Sequence, residues 1–320
     1  MKKTVTSFLL LSLFLTILFG CSSRLLESPI QDFEYENYND QEIKITKYIG
    51  NEVRVIIPSK IGTLPVTIIG ESAFAGSNVE SVVLSNNVVT VADGAFSGCK
   101  NLFEIQLGSQ IKNIGRAAFA ECSSLIEIDL SSKSMRNILD YAFLNCSNLK
   151  TVCFGDNITI IGEEAFHNCT SLEKVQLPKN LVEIGTYAFA DCLGVQSIFV
   201  PKTLSKWGWS PFIGNTSCTE IVIEDGLKSI GSYGAFAGCQ VKKLTIPSSV
   251  ESIASIAFTE FNNLESVVFN GNAPQRGDDW PFGESKSSLT IYYYPNTSGW
   301  DITPLRNDYR VIPINNQSND

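Results

Sequence analysis

One phrase recurs along most of this chain: I-G-x-x-A-F-x-x-C-x-x-L-x-x-V-x-L-P. Its phenylalanines are Phe74, Phe96, Phe119, Phe143, Phe166, Phe189, Phe212, Phe236 and Phe258, at steps of 22, 23, 24, 23, 23, 23, 24 and 22 residues. Ala precedes Phe in eight of the nine copies, and Pro211 replaces it in the seventh. An apolar residue, typically Ile (Ile69, Ile114, Ile161, Ile184, Ile253), lies five residues before Phe, with one residue inserted after Ile230. Gly follows that slot at Gly70, Gly115, Gly162, Gly185, Gly208 and Gly231. A tenth, degraded copy holds Pro281-Phe282 and ends in Leu289-Thr290-Ile291.

A 23-residue unit is too short to bury its own apolar face, so independent domains are excluded and the copies must stack into one continuous core. Each copy carries a short alternating run such as Val175-Gln176-Leu177-Pro178. That is the signature of a half-buried strand, and successive copies must lay these strands parallel. The spacing predicts a short turn or a single helical turn through Ala-Phe that drops Phe inward. Gly98, Asn145, Asn168 and Gly238, each one before Cys, suit a positive-φ turn residue. At about 4.8 Å per strand, nine copies make a rod roughly 40–45 Å long.

The expected organisation is a signal peptide over 1–20, a tether over 21–32, N-terminal cap strands over 33–65, nine tandem repeats over 66–269, and a degraded repeat with a C-terminal cap over 270–320. Lys2 and Lys3 precede the apolar run FLLLSLFLTILF, which is short for a membrane span and typical of a secretory signal. Leu18-Phe19-Gly20-Cys21 resembles a bacterial lipobox, in which the Cys21 thiol would be diacylated and become the first mature residue. The alternative is an ordinary signal peptide with an incidental Cys21. Acyl chains would provide stable anchoring by burying methylenes.

The repeat pattern resembles the BspA-like, Treponema-type leucine-rich repeat family. The segment FEYENYNDQEIKITKYIGNEVRVIIPSKIGTLPVTIIGESAF resembles that family's N-terminal strands and first repeat, and LTIYYYPNTSGW resembles its C-terminal cap. The resemblance implies a leucine-rich-repeat solenoid at the surface or outer membrane of a bacterium. It implies adhesion to a host matrix protein or another cell-surface protein, without enzymatic activity. The contrasting expectation is a structural envelope or biofilm scaffold with no specific soluble partner.

Composition sets further bounds. A chain that is 44% hydrophobic and 18% charged is not disordered. Its net charge of −9 and the absence of any Lys/Arg run argue against nucleic acid as a partner. The single histidine, His167, excludes multi-His zinc sites and occupies a slot that holds Ala75, Ser97, Ala120, Leu144, Ala190 and Ala237 elsewhere. No cofactor is implied, and the chain is expected to be a monomer. Cys99, Cys122, Cys146, Cys169, Cys192 and Cys239 share one slot three after Phe, where buried Cys acts as a small hydrophobe. Disulfides between neighbouring rungs are the alternative that their spacing permits.

Binding should fall on the outward strand slot, which runs Val83, Gln106, Asp129, Cys153, Gln176, Phe199, Val222, Thr245 and Val268. This is either ordinary β-propensity or an apolar stripe centred on Phe199 and Val222. Cys153 is an exposed thiol or one covered by its neighbours. Trp207 fills the inward Ile slot, whereas Trp209 falls in a variable slot and is a candidate exposed anchor. The candidate ligand-binding residues are therefore Phe199, Val222, Trp209, Gln176 and Cys153, with Cys21 as the lipid attachment point. No metal or catalytic residue is expected.

Overall fold

The computed structural model describes residues 26–276, 281–283, 289–300 and 310–314. The signal segment and Cys21 lie outside the described residues. The described chain is a solenoid of short parallel strands, opened by an antiparallel hairpin. Strands Phe33–Tyr38 and Glu42–Tyr48 form that hairpin. Asn39 and Asp40 turn it, both at φ 56°, the left-handed geometry that matches hairpin twist. Glu42–Tyr48 then pairs parallel with Leu64–Ile69 and hands the sheet to the first repeat.

Every rung contributes two strands. The apolar slot five residues before Phe ends a two-residue strand, as in Asn113–Ile114, Ile160–Ile161 and Glu183–Ile184. These join the N-terminal strands in a ten-stranded sheet reaching Lys206–Trp207. The break after Lys206–Trp207 falls at the one-residue insertion following Ile230. There the Ser232 hydroxyl donates to the Gly208 carbonyl at 2.6 Å. The second side is built from the alternating runs, such as Lys174–Gln176, Ser197–Val200 and Glu220–Ile223, paired in parallel register.

The third side is a turn, not a helix. Two left-handed residues per rung interrupt any helical run: one two residues after Phe, the other two before it. The first includes Gly98 (φ 72°), Asn145 (φ 60°), Asn168 (φ 60°) and Gly238 (φ 87°), as the sequence predicts. The second includes Ser72 (φ 54°), Ala117 (φ 51°), Tyr141 (φ 62°), Glu164 (φ 49°) and Tyr187 (φ 55°), and has no sequence signature. Each turn is tied to the next, with Phe119 N–H donating to Ala142 O and Phe166 N–H to Ala188 O, both at 2.8 Å. Pro211 is tolerated in the Ala slot because the rung-to-rung bond uses its carbonyl, which accepts from Phe189 N–H at 2.8 Å. What it forgoes is the weaker bond within the turn, such as Ala188 N–H to Gly185 O at 3.3 Å.

The repeat phenylalanines stack face to face through the core, from Phe74–Phe96 at 4.8 Å to Phe189–Phe212 at 5.7 Å between ring centroids. Tyr48 stacks on Phe74 at 5.0 Å at the N-terminal end, and Phe282 on Phe258 at 5.4 Å at the other. The cysteines beside this stack are free thiols, not disulfides. Cys99, Cys122, Cys146, Cys169 and Cys192 each donate to the repeat Phe carbonyl of the rung before, as Cys122 Sγ does to Phe96 O and Cys192 Sγ to Phe166 O, both at 3.2 Å. Asn215 fills the same slot and sends its amide to Phe189 O at 3.1 Å and Phe212 O at 2.9 Å. In six of the rungs the slot thus holds a buried donor to the preceding rung, whereas Phe261 fills it with an apolar ring.

Candidate functional site

Alternation along the strand makes the site. In Glu220–Ile223, Ile221 and Ile223 are buried while Glu220 and Val222 are exposed. Parallel register then stacks like positions across rungs. Gln176 faces Phe199, and Phe199 faces Val222. Further along the solenoid Thr245, Val268, Tyr292 and Ile312 continue the same row, strand by strand.

A shallow groove of about 140 Å³ opens on this face, lined by Lys174, Gln176, Ser197, Phe199, Glu220 and Val222. Its apolar floor is Phe199 and Val222, the latter 42% exposed. Lys174 and Glu220 stand two rungs apart, their backbones about 10 Å apart by strand spacing. Among the described residues neither belongs to an ion pair, so each charge faces solvent. The arrangement is suited to an elongated polar chain with apolar side groups, laid across the strands.

The sequence-selected residues divide among three places. Gln176, Phe199 and Val222 converge in the groove. Cys153 lies on an earlier strand in register with Asp129, outside the groove lining. It is half-buried, and burial, aided by the Asp129 carboxylate, pushes its thiol up, so it is a poor nucleophile at neutral pH. Trp209 is 70% exposed, but it follows Lys206–Trp207 of the other sheet and belongs to a different side. The groove also takes in Lys174, Ser197 and Glu220, which were not among the candidate binding residues read from the sequence. Their signal was the alternation itself, since the first and third residues of a strand point the same way.

Trp207 is half-buried against the core, where its ring meets Phe236 edge-on at 6.2 Å. Its Nε1 is buried with no partner among the described residues. His167 bridges Glu164 at 3.0 Å and Asp191 at 3.3 Å on the turn side. Among the described residues, no three His, Cys, Asp or Glu side chains converge to hold a metal. Burial pushes Cys146 and Cys192 up to about 12, so the thiol row is inert packing rather than a set of nucleophiles. Among the described residues no helix is long and apolar enough to cross a membrane.

No curated protein matches the sequence. Among solved structures, a leucine-rich repeat protein of Treponema pallidum is 22% identical, with 79% of this chain and 86% of that chain covered and a TM-score of 0.33. A leucine-rich repeat protein of Bacteroides ovatus is 18% identical over 91% and 100% of the two chains, with a TM-score of 0.45. The pneumococcal vaccine antigen PcpA is 17% identical over 91% and 98%, with a TM-score of 0.43. The family model for the BspA type leucine rich repeat region matches six copies over residues 67–194, 137–265 and 182–297. Those spans cover the stacked-phenylalanine core from its first full rung through strand Thr290–Tyr293, and on them the chain belongs to the BspA-type leucine-rich repeat family.

Proposed function

We propose that this chain is a non-enzymatic binding protein displayed at a bacterial surface, anchored through acylated Cys21, that takes a protein ligand on its strand face. The observation that carries the reading is the groove floored by Phe199 and Val222 and flanked by the charges of Lys174 and Glu220, neither of which is ion-paired among the described residues. A rigid solenoid presents such a face without the ordering cost that a flexible loop would incur. Loss of residues 1–20 removes Lys2 and Lys3, so the mature charge becomes −9 − 2 = −11. That charge offers no attraction to anionic lipid, which leaves the acyl chains to hold the protein at the membrane. It favours steering of a basic partner, while apolar contacts govern dissociation.

The test uses the purified chain against a panel of extracellular-matrix and bacterial surface proteins. Phe199→Ser and Val222→Ser are expected to speed dissociation with unchanged circular dichroism. Glu220→Gln, and Glu127→Gln at the exposed first position of strand Glu127–Leu130, are expected mainly to reduce the salt dependence of association. If the Ser variants fold normally and bind as tightly as the parent, the strand-face reading fails.

A further inference from the structure

The turn side carries an aromatic row that the strand-face reading does not use. Trp209 and Tyr233 each stand three residues before their repeat Phe, and Tyr187 stands two before Phe189. Tyr187 N–H donates to Trp209 O at 2.9 Å, and Ser210 N–H to Tyr233 O at 3.2 Å. Those bonds put the three residues on consecutive rungs at the same corner. All three are exposed: 38% for Tyr187, 70% for Trp209 and 54% for Tyr233. Burial explains none of them, whereas the neighbouring repeat phenylalanines are wholly buried.

Their setting is polar. The His167 ring lies 6.4 Å from the Tyr187 ring and is held between Glu164 and Asp191. Two rungs before Tyr187, beyond Glu164 in the same slot, Tyr141 is hydrogen-bonded to Glu163 at 3.3 Å with the Arg116 guanidinium 5.9 Å over its ring. Tyr141 (φ 62°) and Tyr187 (φ 55°) occupy the left-handed slot that every rung has two residues before its Phe.

We propose that this corner is a binding site for a neutral, linear glycan laid along the solenoid axis. A pyranose ring presents an apolar C–H face to a flat aromatic ring and hydroxyl groups at its edge. Here three consecutive rungs each offer one such ring, and the carboxylates of Glu164 and Asp191, held to His167 beside Tyr187, stand at one end to receive the edge. Rungs repeat at about 4.8 Å, close to the length of one sugar unit in an extended chain, so a glycan along the axis advances about one sugar per rung. A protein hot spot instead wants its aromatic anchor in a desolvated pocket ringed by further contacts. The carboxylates of Glu163, Glu164 and Asp191 repel uronate or sulfated polymers, which restricts the ligand to uncharged sugars. This site is independent of the groove at Phe199, on another side of the solenoid.

The test is affinity electrophoresis of the full chain through gels containing xylan, mannan, laminarin, hydroxyethylcellulose or polygalacturonate, with calorimetry on matching oligosaccharides. At least one neutral polymer is expected to retard the protein, and polygalacturonate is not. Trp209→Ala is expected to weaken that binding by about tenfold or more, equivalent to ~1.4 kcal/mol. Tyr233→Ala is expected to weaken it severalfold, and Phe199→Ser to leave it unchanged. Circular dichroism on each variant controls for folding, which the exposure of Trp209 should spare. The proposal is overturned if no neutral polymer retards the chain, if only the acidic polymer does, or if Trp209→Ala binds like the parent. Loss on Phe199→Ser with retention on Trp209→Ala also overturns it and moves the glycan to the strand face.

Discussion

Removing the Phe166 ring tests the core directly. The ring is stacked between Phe143 at 5.1 Å and Phe189 at 4.9 Å, and Phe154 meets it edge-on at 5.6 Å. Phe→Ala in a core costs about 3–5 kcal/mol, with the larger values where the surroundings cannot collapse. Collapse is blocked here. Phe143 N–H to Ala165 O and Phe166 N–H to Ala188 O, both 2.8 Å, hold the adjacent turns one strand spacing apart. Each lost stacking contact contributes about 0.5–1.5 kcal/mol within the same total. Phe166→Ala should therefore cost about 4–5 kcal/mol. Phe282 is the last ring of the stack among the described residues and is 7% exposed. Phe282→Ala should cost about 3 kcal/mol or less. Guanidinium titrations followed by circular dichroism give both values. Because rungs contact only their neighbours, the central variant should also broaden the transition as the two halves uncouple. An equal or larger loss at Phe282 would refute the stacked-rung account of stability.

Three further outcomes are expected. Gly208→Ala should destabilise more than Gly98→Ala in the same titration. A Cβ at 208 would lie 2.1 Å from Thr186 N, whereas one at 98 (φ 72°) has room and incurs only about 1–2 kcal/mol of left-handed strain; equal losses would contradict this. Buried Cys146 and Cys192, held up to about 12 against an ordinary 9.0, stay protonated when the unfolded chain ionises. The unfolded state then binds fewer protons, so stability is intact below pH 9 and falls from pH 9 to 12. Replacing both by Ala should flatten that fall in pH-dependent melts, and an unchanged slope would count against it. Cys21→Ser should abolish incorporation of labelled fatty acid, and equal labelling of both forms would remove the proposed anchor.

The 23-residue period determined much on its own. In a solenoid the neighbour of any slot is the same slot one rung away, so a pattern that repeats in sequence repeats in space. That is why Phe166 was legible as core, Cys146 as buried and Phe199 as the partner of Val222 without any coordinates. It also explains why Gly98 and Asn168 were recognisable as turn residues, since their chemistry announces a positive φ. The left-handed position two before Phe was not legible. Ser72, Ala117, Tyr141 and Glu164 share no chemistry, and only the hydrogen bonds between neighbouring turns impose that geometry. Nor could spacing separate Trp209 from Phe199, ten residues away along the chain. The chain turns a corner between them, from one sheet to the other, and a corner is set by backbone angles rather than by apolar period. The groove depended on tertiary structure for the same reason. Lys174 and Glu220 look like ordinary surface charges until parallel register places them two rungs apart on either side of Ser197.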